Sequence, residues 1–166
     1  AMMAAEAACP PLRPVALPAE VAGRLWLSPM PGRFERWSEF VAAAHQVGLT
    51  EIVCLTPLAE VERVSPRYAQ AIADDALPCA WRALPMDDFG LAQQAHYEAA
   101  VRELAARLRE GAVLLLHCAA GIGRTGTTAA CVLKALGLDT QAALQRVRDA
   151  GSNPQSALQA GLIERF

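Results

Sequence analysis

Residues 112–126 read AVLLLHCAAGIGRTG, an apolar run of strand length that gives way to a glycine-containing turn. From Gly123 to Leu136 the composition becomes helical. A strand, a tight loop and a helix N-terminus in that order form a cup of backbone N–H groups able to hold a dianion. Cys118 stands at the foot of the cup and Arg124 on its rim, with Gly121 and Gly123 between them. Both glycines permit the positive φ values and close backbone approach that such a loop needs.

A thiol facing a guanidinium across such a cup is suited to phosphoryl transfer. Cys118 would attack phosphorus as a thiolate. That anion would be stabilised by the amides of Ala119, Ala120, Gly121, Ile122, Gly123 and Arg124, by the helix dipole and by the Arg124 charge. The planar guanidinium matches two phosphate oxygens at once, which a lysine cannot do. Thr125 can donate its hydroxyl to the Cys118 sulfur. His117 is expected to orient the loop through hydrogen bonds rather than to act as a base. No cofactor or metal is called for, because Arg124 and the amides neutralise the charge a metal would otherwise handle.

Other chemistries account for less of the pattern. A cysteine that merely packs behind a strand leaves Arg124, both glycines and the following hydroxyl unexplained. Zinc binding by His117 and Cys118 lacks further ligands at suitable spacing. A sulfur-carrier loop would not need this arginine together with a remote acid. A nucleotide-binding P-loop requires a Gly-Lys-[Ser/Thr] triplet, which is missing.

The string HCAAGIGRTG resembles the protein tyrosine phosphatase signature, HC-x5-R-[ST], of the cysteine-based superfamily. It is similar to the dual-specificity branch, and most to small domains like the cyclin-dependent-kinase-associated phosphatase. Further segments share the likeness: Ser28–Gly32, Ile52–Thr56, Leu84-Pro85-Met86-Asp87-Asp88-Phe89-Gly90, and Gly151-Ser152 with Gln159 beyond. The resemblance covers roughly residues 25–166 and implies a phosphomonoester hydrolase working through a cysteinyl-phosphate. It implies a general acid in the Leu84–Gly90 loop, at Asp88 by the P-x-x-D pattern, with Asp87 the alternative. An Asp-Asp pair before Leu91 could equally cap a helix. Gln159 would place the hydrolytic water, with Gln155 as the alternative. Some relatives protect the catalytic thiol in a reversible disulfide, for which Cys54 is the candidate here.

The expected substrate is a phosphorylated protein, bearing phosphotyrosine and also phosphoserine or phosphothreonine. Larger tyrosine-specific enzymes carry a pocket-deepening tyrosine loop, and neither Tyr68 nor Tyr97 lies in one. A small phosphorylated metabolite, nucleotide or phosphoinositide is the alternative, although Ala119, Ala120 and Ile122 offer no extra cationic contacts to a polyphosphorylated headgroup. A non-catalytic module that holds phosphorylated partners is the remaining one.

Composition supports one small enzyme domain. With 166 residues, 54% hydrophobic and 19% charged, the chain is neither disordered nor membrane-spanning by composition. A net charge of −2 supplies no global basic field for nucleic acid or anionic lipid. Five irregularly spaced cysteines suggest a reducing, cytoplasmic compartment, with Cys54, Cys79 and Cys131 as buried fillers. The start lacks the pattern of a signal peptide, and Ala1 ahead of two methionines reads as an expression remnant. A monomer is expected. The Arg-over-Lys bias, with Lys134 the only lysine, suggests a GC-rich bacterial genome.

Strand and helix patterns alternate, which predicts an α/β fold with a mostly parallel central sheet of four to five strands flanked by helices. Residues 1–20 are expected to be an extended, partly disordered segment, and 21–166 a single phosphatase-like catalytic domain. Strands are predicted at Leu25–Ser28, Glu51–Thr56, Cys79–Leu84 and Val113–His117. Helices are predicted at Phe34–Val47, Leu91–Arg109, Thr125–Leu136, 139–150 and 156–166, with a short helix or irregular segment at Pro66–Asp74.

Overall fold

In the computed structural model, which describes residues 11–86 and 91–166, the apolar run before Cys118 is the middle strand of a five-stranded sheet. In chain order the elements are β1 (Arg13–Val15), β2 (Arg24–Ser28), α1 (Trp37–Val47), β3 (Glu51–Cys54), α2 (Leu58–Val64), α3 (Pro66–Ala73), β4 (Ala80–Ala83), α4 (Leu91–Arg109), β5 (Val113–His117), α5 (Gly123–Ala135), α6 (Thr140–Asp149) and α7 (Ala157–Glu164). The sheet order is β1-β2-β5-β3-β4. Its last four strands run parallel and β1 is antiparallel to β2. The fold is the mixed α/β architecture that the sequence predicts.

β5 is covered on both faces, which is why it reads as a continuous apolar run. Successive side chains of a strand point to opposite faces. Leu114 and Leu116 therefore join Leu25, Leu27 and Val53 against Val101 and Leu104 of α4 and Val132 of α5. Leu115 joins Ile52 beneath Phe40 of α1 and Tyr68 of α3. α5 is buried along most of its length, and its buried threonine hydroxyls find partners. Thr127 donates to the Gly123 carbonyl at 2.7 Å, and Thr128 lies 2.7 Å from the Tyr97 hydroxyl.

Three elements differ from the sequence expectation. Arg13–Val15, assigned to the extended N-terminal segment, pairs with β2 through Arg13↔Leu27 and Val15↔Leu25. Pro14 is tolerated there because β1 is an edge strand. Helix α2 was not anticipated, since Val61 is its only fully buried residue and no apolar stripe marks it. Helix α1 starts at Trp37 rather than Phe34, because the Glu39 carboxylate accepts from the Arg36 amide at 2.9 Å and closes its first turn.

Candidate active site

β5 is flanked by β2 and β3, so the strand order switches at its C-terminal end, where an open α/β sheet forms its ligand crevice. Cys118 follows the last residue of β5 at that point. Its sulfur accepts hydrogen bonds from the Gly121 amide at 3.3 Å and from the Thr125 hydroxyl at 3.0 Å. Gly121 has φ +77°, and a Cβ on it would lie 2.6 Å from backbone atoms of Ser28 and Pro29. No other residue fits that position.

The loop's carbonyls are held from outside by donors scattered over the chain. His117 Nδ1 lies 3.1 Å from the Cys118 oxygen. Arg33 Nη1 and the Met30 amide donate to the Ala119 oxygen at 2.8 and 3.2 Å. Arg13 Nη2 and Ser152 Oγ both donate to the Gly121 oxygen at 2.6 Å. The Gly126 and Asn153 amides donate to the Ile122 oxygen at 2.8 and 3.2 Å. All described peptide bonds are trans, so a carbonyl anchored on one side turns the following N–H to the other. The amides of Ala119, Ala120, Ile122 and Gly123 therefore face away from these anchors.

His117 is completely buried, and burial pushes its pKa down to about 4. A neutral imidazole has one donor and one acceptor nitrogen. Nδ1 faces a carbonyl and must be the donor, so Nε2 accepts from the Tyr68 hydroxyl at 2.7 Å. Tyr68 in turn accepts from Trp81 Nε1 at 2.9 Å. This chain of hydrogen bonds runs from β4 through α3 to the foot of the loop.

Arg124 donates to both carboxylate oxygens of Glu60, at 3.0 and 2.8 Å. Those bonds raise the Arg124 pKa, outweighing the opposite effect of its partial burial. The same bonds lower the Glu60 carboxyl. Gln159 and Gln155 both lie over the start of α5: a Cβ built on Gly123 would come within 2.6 Å of Gln155 Oε1 and 3.1 Å of Gln159 Oε1. Gln159 Oε1 also accepts from the Gln155 amide at 2.8 Å. Asp88 and its alternative Asp87 lie outside the described residues. Among the described residues, no group of three His, Cys, Asp or Glu could hold a metal ion.

Cys54 is paired in register with His117 across β3 and β5, next to the residue that precedes Cys118. Burial pushes its thiol up, and pushes that of Cys131 to about 12. Cys79, read from sequence as a buried filler, is only partly buried.

Sequence reasoning missed Glu60, Arg13, Arg33, Tyr68 and Trp81. No local pattern marks them. Glu60 sits in an unanticipated helix, and Arg13 reaches across 108 positions of sequence to Gly121.

The family model described as "Swiss Army Knife protein, DSP-PTPase phosphatase domain" matches residues 30–161. The chain belongs to the dual-specificity phosphatase domain family. No curated protein matches it. Solved structures with the same fold include kinase associated phosphatase, with its catalytic-site cysteine substituted by serine, at TM-score 0.78 and 19% identity over 97% of this chain and 96% of that one. Tk-PTP in its active form aligns at TM-score 0.64 and 22% identity, covering 89% and 95% of the two chains. Human DUSP28 aligns at TM-score 0.64 and 20% identity, covering 95% and 93%. Membership of the dual-specificity family and its fold support protein phosphatase activity and imply a phosphorylated substrate. No helix among the described residues is long and apolar enough to cross a membrane.

Proposed function

We propose that this chain hydrolyses phosphomonoesters on proteins, phosphotyrosine and also phosphoserine or phosphothreonine, through a cysteinyl-phosphate on Cys118. The observation that carries the proposal is a sulfur accepting hydrogen bonds from Gly121 and Thr125 at the foot of a loop whose carbonyls are anchored outward. In the first step the S–P bond forms, the P–O bond to the leaving group breaks, and Asp88 gives that oxygen its proton. In the second, water attacks phosphorus and passes its proton to the Asp88 carboxylate. The S–P bond breaks, releasing inorganic phosphate and the thiolate. Gln159 would orient the water. Arg124, released in part from Glu60, would take two equatorial oxygens of the transferring group.

A protein substrate is supported by the loop's surroundings. Phe34 is 71% exposed, and the Arg33 guanidinium that holds Ala119 lies 4.7 Å from its ring centroid. That apolar and cationic rim suits a peptide flanking the phosphoryl group. The test is hydrolysis of p-nitrophenyl phosphate and a phosphopeptide panel in EDTA, with the Cys118→Ser variant as control. Turnover abolished by that substitution supports the proposal. Turnover that survives it, or phosphopeptide binding without hydrolysis at any pH from about 5 to 8, refutes it.

A further inference from the structure

β1 is only three residues long and lies at the sheet edge, yet its arginine does not run out to solvent. Arg13 crosses behind the phosphate-loop segment, donating from Nη2 to the Gly121 oxygen at 2.6 Å. From Nη1 it donates to Ser152 Oγ at 3.1 Å and to the Ala150 oxygen. Ser152 Oγ donates to the same Gly121 oxygen, so two donors fix one carbonyl. Gly151 leaves the space: a Cβ there would stand 2.8 Å from Arg13 Nη1.

Two consequences follow from the geometry. With the Gly121 carbonyl pinned on the β1 side, the trans peptide directs the Ile122 N–H to the opposite side, where the cup opens. The charge matters as well. Among the described residues Arg13 makes no ion pair with a carboxylate, its acceptors being two carbonyls and a hydroxyl. A part-buried guanidinium without a carboxylate is uncommon, because desolvation of an unpaired charge is unfavourable. Geometry links the two groups through one residue: Arg13 holds the Gly121 carbonyl, and the Gly121 amide donates to the Cys118 sulfur at 3.3 Å. Burial lowers the Arg13 pKa, and nearby Cys118 acts against that lowering.

We propose that Arg13 is a positioning residue for the phosphate loop: it orients the Ile122 amide toward the substrate phosphoryl group and gives the Cys118 thiolate a second cation, behind the loop, in addition to Arg124. The inference rests on the cysteinyl-phosphate reading above and extends the site to the N-terminal edge strand.

The experiment compares full-length wild type with Arg13→Met, Arg13→Lys and Cys118→Ser. Its readouts are kcat and KM for p-nitrophenyl phosphate, orthovanadate inhibition, the rate of Cys118 alkylation by iodoacetamide at pH 6.5, and thermal unfolding. A misaimed oxyanion donor at Arg13→Met should lower kcat about 10- to 100-fold, somewhat less than outright loss of a donor does. Vanadate should bind about tenfold more weakly because the Ile122 amide is misaimed, and alkylation should slow because the thiolate loses a nearby cation. Arg13→Lys keeps the charge without the fork, so alkylation should recover while kcat and vanadate affinity stay reduced. If Arg13→Met does not fold, Arg13→Lys alone decides: wild-type kcat and vanadate inhibition in that variant overturn the proposal. A folded Arg13→Met variant with unchanged kcat, vanadate inhibition and alkylation overturns it too. Loss of turnover in Cys118→Ser alongside an inert Arg13 would leave the cysteinyl-phosphate reading standing, whereas turnover surviving in Cys118→Ser removes both.

Discussion

Arg124 and Glu60 meet fork to fork, through two hydrogen bonds of 3.0 and 2.8 Å, 64 positions apart in sequence. The pairing fixes the plane of the guanidinium, and under the proposed mechanism the fork turns in part from Glu60 to two phosphate oxygens. Both side chains keep some solvent contact, 23% and 18%, so the pair contributes modestly to stability. Glu60→Gln should therefore lower kcat/KM about tenfold while shifting unfolding by less than about 1 kcal/mol. Steady-state kinetics with urea denaturation checks the split, and a large stability loss with intact kinetics would contradict it.

Burial of His117 as the neutral imidazole ties stability to pH. Its pKa falls from the usual 6.5 to about 4 in the folded chain. Between those values the unfolded chain binds more protons. The stabilisation is thus fully present above pH 6.5 and is lost as pH falls toward 4, by up to about 3 kcal/mol. Urea unfolding at pH 7 and pH 5 should show wild type losing much more stability than His117→Asn. Equal losses in the two proteins would show that another group dominates.

Tyr68 and Trp81 hold the tautomer through which His117 grips Cys118. Tyr68→Phe removes the donor to Nε2 and leaves a buried acceptor unsatisfied, at about 1–3 kcal/mol. Thermal unfolding should show that loss, and it should be smaller when Tyr68→Phe is made in a His117→Asn background, where only the Trp81 Nε1 donor is left without its acceptor.

The acid assignment is testable by kinetics alone. Asp88→Ala should reduce kcat by about 10²–10⁴-fold, and by less with activated leaving groups than with phosphopeptides. Asp87→Ala should change it little. A reversed order would move the proton donor to Asp87.

Gly121 combines a left-handed φ with backbone atoms 2.6 Å from any added Cβ. Gly121→Ala must displace the loop or the Ser28–Pro29 segment. A loss of about 2 kcal/mol or more and collapse of vanadate inhibition are expected. Wild-type inhibition by vanadate in this variant would show that the loop geometry is dispensable.

Sequence alone carried the strand–loop–helix unit, the Cys118–Arg124 spacing and the central position of Val113–His117. Each is local: a doubly buried strand is apolar at every position, and a phosphate cup needs glycine within a few residues of its nucleophile. The tertiary structure decided what aims the loop. Arg13, Arg33 and Ser152 hold its carbonyls, Tyr68 and Trp81 hold His117, and Glu60 holds Arg124. These are polar contacts between distant segments, so no periodicity records them, and they exist only once chain folding has closed the loops between. β1 and α2 escaped for a related reason: three residues around Pro14, and seven with a single fully buried side chain, leave no pattern that short-range reading can detect.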